Sequence, residues 1–463
     1  MRYPTTRLAV LCLVVVLLAS VAGACTSAPP APPVTTPAAT YDGSVPITWF
    51  SLSLTLVKET PGYSPPVASR AFAYLGVALY ETVRPGMDGY ATLAGQLNEL
   101  DTLPQLEDPA GYHWALAANR ALAETIRALF PTASAENLTA VAALEEEINN
   151  FYATTTDAQT VARSVAWGQA VADAVYRWSL TDGGNGGYTR SFPEDYAPPT
   201  GVGMWVSTPP NFSRALQPYW GENRPFVLPS GDGCPALPPP TYSTLRGSAF
   251  YREAWEVYTT AANLDEDQLA IARFWADDPG LTSTPPGHWM SILNRVLVEQ
   301  DGTLDRAAEA YAKLGIGLAD AFISCWKTKY AYNLIRPISY IQDVIDPTWN
   351  TPDITDAVVT PPFPEYTSGH SVQSAAAAVI LTDLFGEDYA FIDHTHDARG
   401  YAARSYPSFM AAANEAAISR LYGGIHYRAA IENGLAQGEC IGNHVLALRF
   451  QGSQAAPLLV MRR

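Results

Sequence analysis

Residues 361–386 read PPFPEYTSGHSVQSAAAAVILTDLFG. The prolines hold the first part of this stretch extended. Thr367-Ser368-Gly369-His370 then opens an alanine-rich apolar run that continues to Gly386, the pattern of a buried helix with a glycine stop. A serine and a glycine at a helix start leave main-chain N–H groups pointing outward, and the helix dipole adds its attraction for an anion. In that position His370 can act as acid or base over the anion. The plainer account is that Ser368 caps the helix and His370 is an exposed first-turn residue.

The same periodicity recurs along most of the chain. Apolar side chains fall at helical spacing over residues 66–82, 112–129, 135–182, 248–275, 286–299, 304–335, 370–385, 407–422 and 427–448. No stretch alternates over strand length, so the chain is expected to be all-α, built of helical bundles. Residues 181–245 break the pattern with Gly, Pro, Tyr and Trp, which suits a long irregular connection packed as a wall. This divides the chain into an N-terminal helical region, 46–245, and a C-terminal helical region, 246–463, that carries the candidate site.

Two further segments supply cations. In CWKTKYAYNLIRPISY, residues 325–340, Lys329 and Arg336 stand seven apart, so a continuous helix would place both on one face, with Pro337 ending or kinking it. Trp326, Tyr330, Tyr332 and Ile335 make the surroundings apolar, and a buried cation needs a partner. In AAISRLYGGIHYRAAIENG, residues 416–434, Gly423-Gly424 separates Arg420 from His426 and lets one helix end beside another. Together the three segments offer three cations, a serine hydroxyl, glycine N–H groups and two histidines, the parts needed to hold an oxyanion.

Hydrophobic residues make up 48% of the 463 residues and charged residues 16%, so a large buried core is expected. With 45 acidic against 28 basic residues, nucleic acid is excluded as a partner, because a phosphate backbone needs a basic surface. The N-terminus reads as a signal peptide over 1–24, with Arg2 and Arg7 before the apolar run from Leu8 to Ala19. Cys25 follows Ala22-Gly23-Ala24 and precedes a Pro/Thr/Ala tract, expected to be a disordered tether over 25–45. That arrangement resembles a bacterial lipoprotein signal, with Cys25 as lipid anchor and an exported, membrane-tethered or secreted location. Of Cys234, Cys325 and Cys440, any two could form one disulfide in an exported protein; buried thiols suit Cys325 and Cys440 best.

The ordered set of Lys329 with Arg336-Pro337, then Ser368-Gly369-His370, then Ser419-Arg420, Gly424 and His426 resembles the three-part signature of the vanadium-dependent haloperoxidase family, in the superfamily shared with type-2 phosphatidic acid phosphatases. Trp326, Phe363 and the FWADDPGLTSTPPGHW stretch (274–289) are similar to the chloroperoxidase branch. The resemblance implies a helical-bundle fold and a vanadate cofactor. It implies that His426 bonds the metal while Lys329, Arg336, Ser368, Gly369 and Arg420 neutralise the oxyanion. His370 would act as acid–base group, Lys329 would polarise bound peroxide, Asp278 would brace an arginine, and Trp326 with Phe363 would line the halide site. Hydrogen peroxide, halide and a small organic molecule are the implied substrates. Two departures stand out: Thr367 where the family usually has Pro, and Ala430 where it has the carboxylate that orients the metal-linked histidine. Glu432 or a main-chain carbonyl is the candidate substitute.

The same residues suit an acid phosphatase, with phosphate in the site, His426 as nucleophile and His370 protonating the leaving alcohol. A non-catalytic anion-binding lipoprotein is the third possibility. Outside the three segments, His394 and His396 with Asp393 and Asp397 read as a polar loop rather than a metal site. His113 and His444 read as packing histidines, and Glu145-Glu146-Glu147 as a solvated helix face.

Overall fold

The computed structural model describes residues 35–349 and 359–451; the signal peptide, Cys25 and the start of the tether lie outside these. Among the described residues there are thirteen α-helices: α1 Ser44–Glu59, α2 Pro65–Val83, α3 Trp114–Leu129, α4 Ala135–Ala153, α5 Ala158–Ser179, α6 Ala249–Ala262, α7 Glu266–Phe274, α8 Thr284–Glu299, α9 Leu304–Tyr332, α10 Pro337–Val344, α11 Gly369–Phe385, α12 Phe409–Tyr422 and α13 Arg428–Leu446. A single antiparallel ribbon, β1 (Phe391–Asp393) and β2 (Arg404–Tyr406), interrupts them, so the all-α expectation holds apart from six residues.

Several expected helices are divided where polar caps intervene. The run 135–182 breaks at Thr154–Asp157, because the Asp157 side chain accepts from the N–H groups of Gln159 and Thr160 and starts α5. The run 248–275 breaks before Asp265, which closes a capping box with Gln268. The run 304–335 ends at Tyr332 because Asn333 takes a left-handed conformation, φ 45°, and Pro337 then begins α10 rather than terminating α9. Lys329 and Arg336 therefore do not share a helix face. Residues 35–45, assigned to the tether, are held to the body: Ala38 is buried and Thr36 O accepts from the Trp114 indole.

The centre is α2 laid along α9, with α11 packed on α9 and α13 on α11. Small residues let these backbones approach. A Cβ at Gly76 of α2 would lie 2.5 Å from Tyr311 O of α9, and one at Gly438 of α13 would strike Val372 O of α11 at 2.1 Å. The main core cluster draws on helices from α1 to α13, with a second cluster around α6 and α10, and the described residues form one compact unit, so the two regions divided near residue 245 share one interior. The irregular connection is a wall, as expected: Trp205, Trp220, Phe226 and Leu228 are buried in it. The buried Asp320 carboxylate of α9 accepts three consecutive N–H groups from Phe226, Val227 and Leu228 and holds the wall down. Cys234 of the wall is bonded to Cys440 of α13, which corrects the reading of Cys440 as a thiol; Cys325 is the buried one. No helix among the described residues is long and apolar enough to cross a membrane.

Three peripheral readings change. His444 is exposed on the last turn of α13 and is no packing residue. His113 caps α3, its ring accepting from Leu116 N. Glu145 is buried between Arg120 and Arg127 rather than solvated, unlike Glu146 and Glu147.

Candidate active site

Lys329, Arg336 and Arg420 are brought together with His426, and all four are buried. Lys329 and Arg336 are 0% exposed, Arg420 2% and His426 3%. Lys329 sits on the last turn of α9 and donates to the carbonyls of Pro364 (3.1 Å), Glu365 (3.0 Å) and Thr367. Arg336, at the start of α10, donates through Nε to Phe363 O (2.9 Å) and through Nη1 to Ile425 O (2.9 Å). The extended segment 363–367 is thus gripped by two cations before it enters α11. Ser368 caps that helix, accepting from Ser371 N, as the plainer account required. His370 is not exposed, and its Nε2 is buried with no hydrogen-bond partner among the described residues. Arg420, on the last turn of α12, donates to Ser419 Oγ (3.0 Å) and Ala272 O (3.3 Å).

The tautomer of His426 follows from its neighbours. Arg336 Nη1 lies 3.3 Å from Nε2, and a guanidinium can only donate, so Nε2 carries the lone pair. Nδ1 carries the hydrogen and donates to Glu365 Oε1 at 2.8 Å. Burial, then Arg336, Lys329 and Arg420, holds the His426 imidazole well below its ordinary pKa, so the ring is neutral at pH 7. Burial and Arg420 do the same for His370. Burial also brings Lys329 down to about 8.

Glu365 was missed in the sequence. It accepts from both His426 Nδ1 and Tyr427 N (2.9 Å), which is the service expected of a carboxylate at position 430. Glu432, proposed as the substitute, is exposed and lies 3.8 Å from Arg428 instead. Ala430 contributes its carbonyl to Ser368 N. Thr367, in place of proline, is satisfied because its hydroxyl donates to Gln437 Oε1 at 2.7 Å. Asp278 acts on Arg420 through its charge, and burial raises its carboxyl to about 6. Trp326 and Phe363 lie against one another, ring centroids 4.9 Å apart, with Lys329 and Arg336 both within 5.0 Å of the Phe363 ring.

Whether an oxyanion suits these residues can be judged from what they leave open. Arg336 Nη2 and His370 Nε2 are buried polar atoms with no partner among the described residues, and three buried cations surround two neutral imidazoles. A Cβ at Gly369 would make only ordinary contacts, the nearest at 3.7 Å to Trp326, so protein packing alone does not demand glycine there. A small, multiply charged oxyanion fits this donor set, and His426 Nε2 offers a lone pair to a metal within it.

The loop read as polar corrects in part. His394 and Asp397 are exposed, but Asp393 and His396 are buried and join Asp277 and His288. His288 Nδ1 lies 2.8 Å from Asp277 Oδ2, and its Nε2 lies 2.7 Å from Asp393 Oδ2. Carboxylates only accept, so both ring nitrogens donate and His288 is an imidazolium. Burial opposes that charge, yet Asp277 and Asp393 outweigh it and lift His288 from 6.5 to about 10. Both carboxyls are correspondingly held below their ordinary 3.8 by His288, against burial. The sign for stability follows: the histidine's contribution is complete below pH 6.5 and is lost as pH rises towards about 10, whereas that of the acids is lost as pH falls below 3.8. Thermal melts of the wild type are therefore expected to decline between pH 6.5 and 10. In His288→Gln the decline should be shallower; equal slopes would contradict the assignment.

Residues 309–452 match the family model of the VCPO second helical-bundle domain. A curated relative, the vanadium chloroperoxidase of Curvularia inaequalis, is 31% identical over 129 residues, 24% of this chain and 21% of that protein; the match thus spans about a fifth of the relative's length. Among solved structures, a bacterial vanadium-dependent iodoperoxidase superposes with a TM-score of 0.80 at 38% identity, covering 89% of this chain and 98% of that one. A bacterial vanadium-dependent chloroperoxidase shares the fold at 14% identity, with a TM-score of 0.63 over 83% of this chain and 92% of that one. An iodoperoxidase matched across nearly its whole length at this identity, on a site whose histidine presents a metal-ready nitrogen among buried cations, places the protein: the chain belongs to the vanadium-dependent haloperoxidase family.

Proposed function

We propose that this protein oxidises halide with hydrogen peroxide to a hypohalous acid equivalent that halogenates small organic compounds. The observation that carries the reading is His426: neutral, hydrogen-bonded through Nδ1 to Glu365, with Nε2 turned into the ring formed by Arg336 and the other cations. His426 Nε2 would hold the metal of a vanadate cofactor, and Lys329, Arg336, Arg420, Ser368 and the Gly369 N–H would hold its oxygens. When bound, vanadium(V) supplies Lewis-acid activation of peroxide. His370, kept neutral by burial and Arg420, accepts a proton at Nε2 from the incoming peroxide. Lys329 adds positive charge where peroxide binds. Trp326 and Phe363 form an apolar wall for a halide, with Lys329 and Arg336 close to the Phe363 ring.

The test is halogenation of monochlorodimedone by phosphate-free protein, with peroxide and either iodide or bromide, before and after orthovanadate. Turnover should depend on vanadate and fall by at least about a hundredfold in His426→Ala. Hydrolysis of p-nitrophenyl phosphate without halogenation would assign a phosphatase instead, and silence in both assays a binding protein.

The reading extends to an exported lipoprotein anchored through Cys25. Its support is the signal-like N-terminus and the Cys234–Cys440 disulfide, a bond that persists in oxidising compartments. Cys25→Ser should move the protein from the membrane fraction to the soluble exported fraction; continued membrane recovery would refute the anchor.

A further inference from the structure

The Asp277–His288–Asp393 cluster touches none of the groups assigned to the oxyanion, yet the chain it fixes reaches both Arg420 and the acid–base His370. It is wholly buried, and His396 joins it with Nε2 3.1 Å from Asp277 Oδ1. Residues 275–278, between α7 and α8, form the irregular segment it holds. Asp277 has φ +51°, a conformation an L-residue rarely keeps unless its surroundings impose it. The neighbours of Asp277 in this segment serve the site. Arg420 Nη2 donates to Ala272 O (3.3 Å) at the end of α7, just before the segment, and the Asp278 carboxylate acts on Arg420. Trp289, beside His288 on α8, donates to Ser374 Oγ (2.9 Å), one turn beyond His370 on α11. The Trp275 indole stacks on His288 with centroids 4.3 Å apart and planes 15° apart, and its Nε1 donates to Glu415. His288 thus fixes the segment twice, through the Asp277 carboxylate and through the Trp275 ring.

We propose that His288, clamped between Asp277 and Asp393, is a positioning residue for Arg420, acting through the segment 275–278, and for the acid–base histidine, acting through the contact of α8 with α11. The inference rests on the role given to His370 above. Both nitrogens of His288 are engaged by carboxylates at hydrogen-bond distance, which favours an ionic clamp over a metal site built from Asp277, His288 and His396.

The test uses the full mature protein with His288→Gln and Asp393→Asn. Asp393→Asn keeps an acceptor for His288 Nε2 and leaves the Asp277 bond intact, so it should be the milder change. Three readouts are taken: kcat and KM for peroxide with vanadate, the ring 15N shifts of His370 in vanadate-free protein, and the calorimetric Kd for inorganic phosphate. His288→Gln is expected to lower kcat by about 10- to 100-fold with KM for peroxide nearly unchanged. The His370 shifts should move from one fixed tautomer towards an average, and phosphate should bind more weakly. A purely packing role would lower stability without moving the tautomer. Folded His288→Gln protein with wild-type His370 shifts and phosphate affinity would overturn the proposal, as would one equivalent of a transition metal retained by purified wild type. If His288→Gln does not fold, the same readouts on Asp393→Asn decide. Altered His370 shifts with turnover intact would leave the clamp standing and remove His370 from the acid–base role.

Discussion

Above pH 8, Glu365→Gln will weaken vanadate binding by about 10- to 100-fold while leaving inorganic phosphate binding unchanged or tighter. Two opposite effects meet at this residue. The carboxylate raises the donor strength of His426 by accepting from Nδ1, and it fixes the ring by also accepting from Tyr427 N. Burial raises its carboxyl to about 8, against the pull of Arg336 and Lys329, so above that pH it also places negative charge among the two cations, where it opposes any bound anion. Glutamine can keep one acceptor for both N–H groups, so the ring stays roughly in place. What it removes is charge, and with it the push on the imidazole. Phosphate needs no imidazole lone pair and responds to the electrostatic change alone. Vanadate depends on that lone pair, and loss of donor strength should dominate. Competition calorimetry with the two anions measures the ratio directly. Equal changes in both affinities would mean that His426 contributes no bond of its own.

Loss of the Cys234–Cys440 disulfide is expected to have the largest effect on stability. It closes a loop of 206 residues, for which chain entropy alone gives about 5 kcal/mol, with engineered comparisons often giving less. Cys234→Ser with Cys440→Ser should therefore melt many degrees lower, and so should the wild type under reductant. The loss should extend to the site. Gln437, three residues before Cys440 on α13, donates to Cys234 O, Ser324 Oγ and Thr328 Oγ1 and accepts from Thr367. Thr367 O in turn accepts from Lys329. A double variant that melts like the wild type would show that the wall is held by packing and Asp320 alone.

Much of the helical architecture and every candidate cation could be read from residue order, because periodicity and basic residues in apolar runs are local signals. What stayed hidden depends on partners remote in sequence. Glu365 serves His426 from 61 positions away. Asp393 serves His288 from 105, and Cys440 meets Cys234 across 206. A sharper signal was available for Glu365, a lone carboxylate in the proline- and aromatic-rich run PPFPEY. For His396 a polar loop composition concealed burial, because its acidic partner Asp277 lies in another segment. The continuous helix expected from Lys329 to Arg336 failed for a local reason, the left-handed Asn333, which asparagine tolerates and no periodicity reveals.

Lys329 ends α9, Arg336 begins α10, Ser368 and Gly369 begin α11, Arg420 ends α12 and His426 precedes α13. An oxyanion held by all of them ties five helices at one point, as a rivet would. Ligand and fold are then linked: at a hundredfold excess over its Kd, such an anion adds about 2.7 kcal/mol to the stability of the folded chain. A preparation in phosphate buffer and one in a buffer without oxyanions are consequently different thermodynamic objects, even with identical sequence and identical covalent structure.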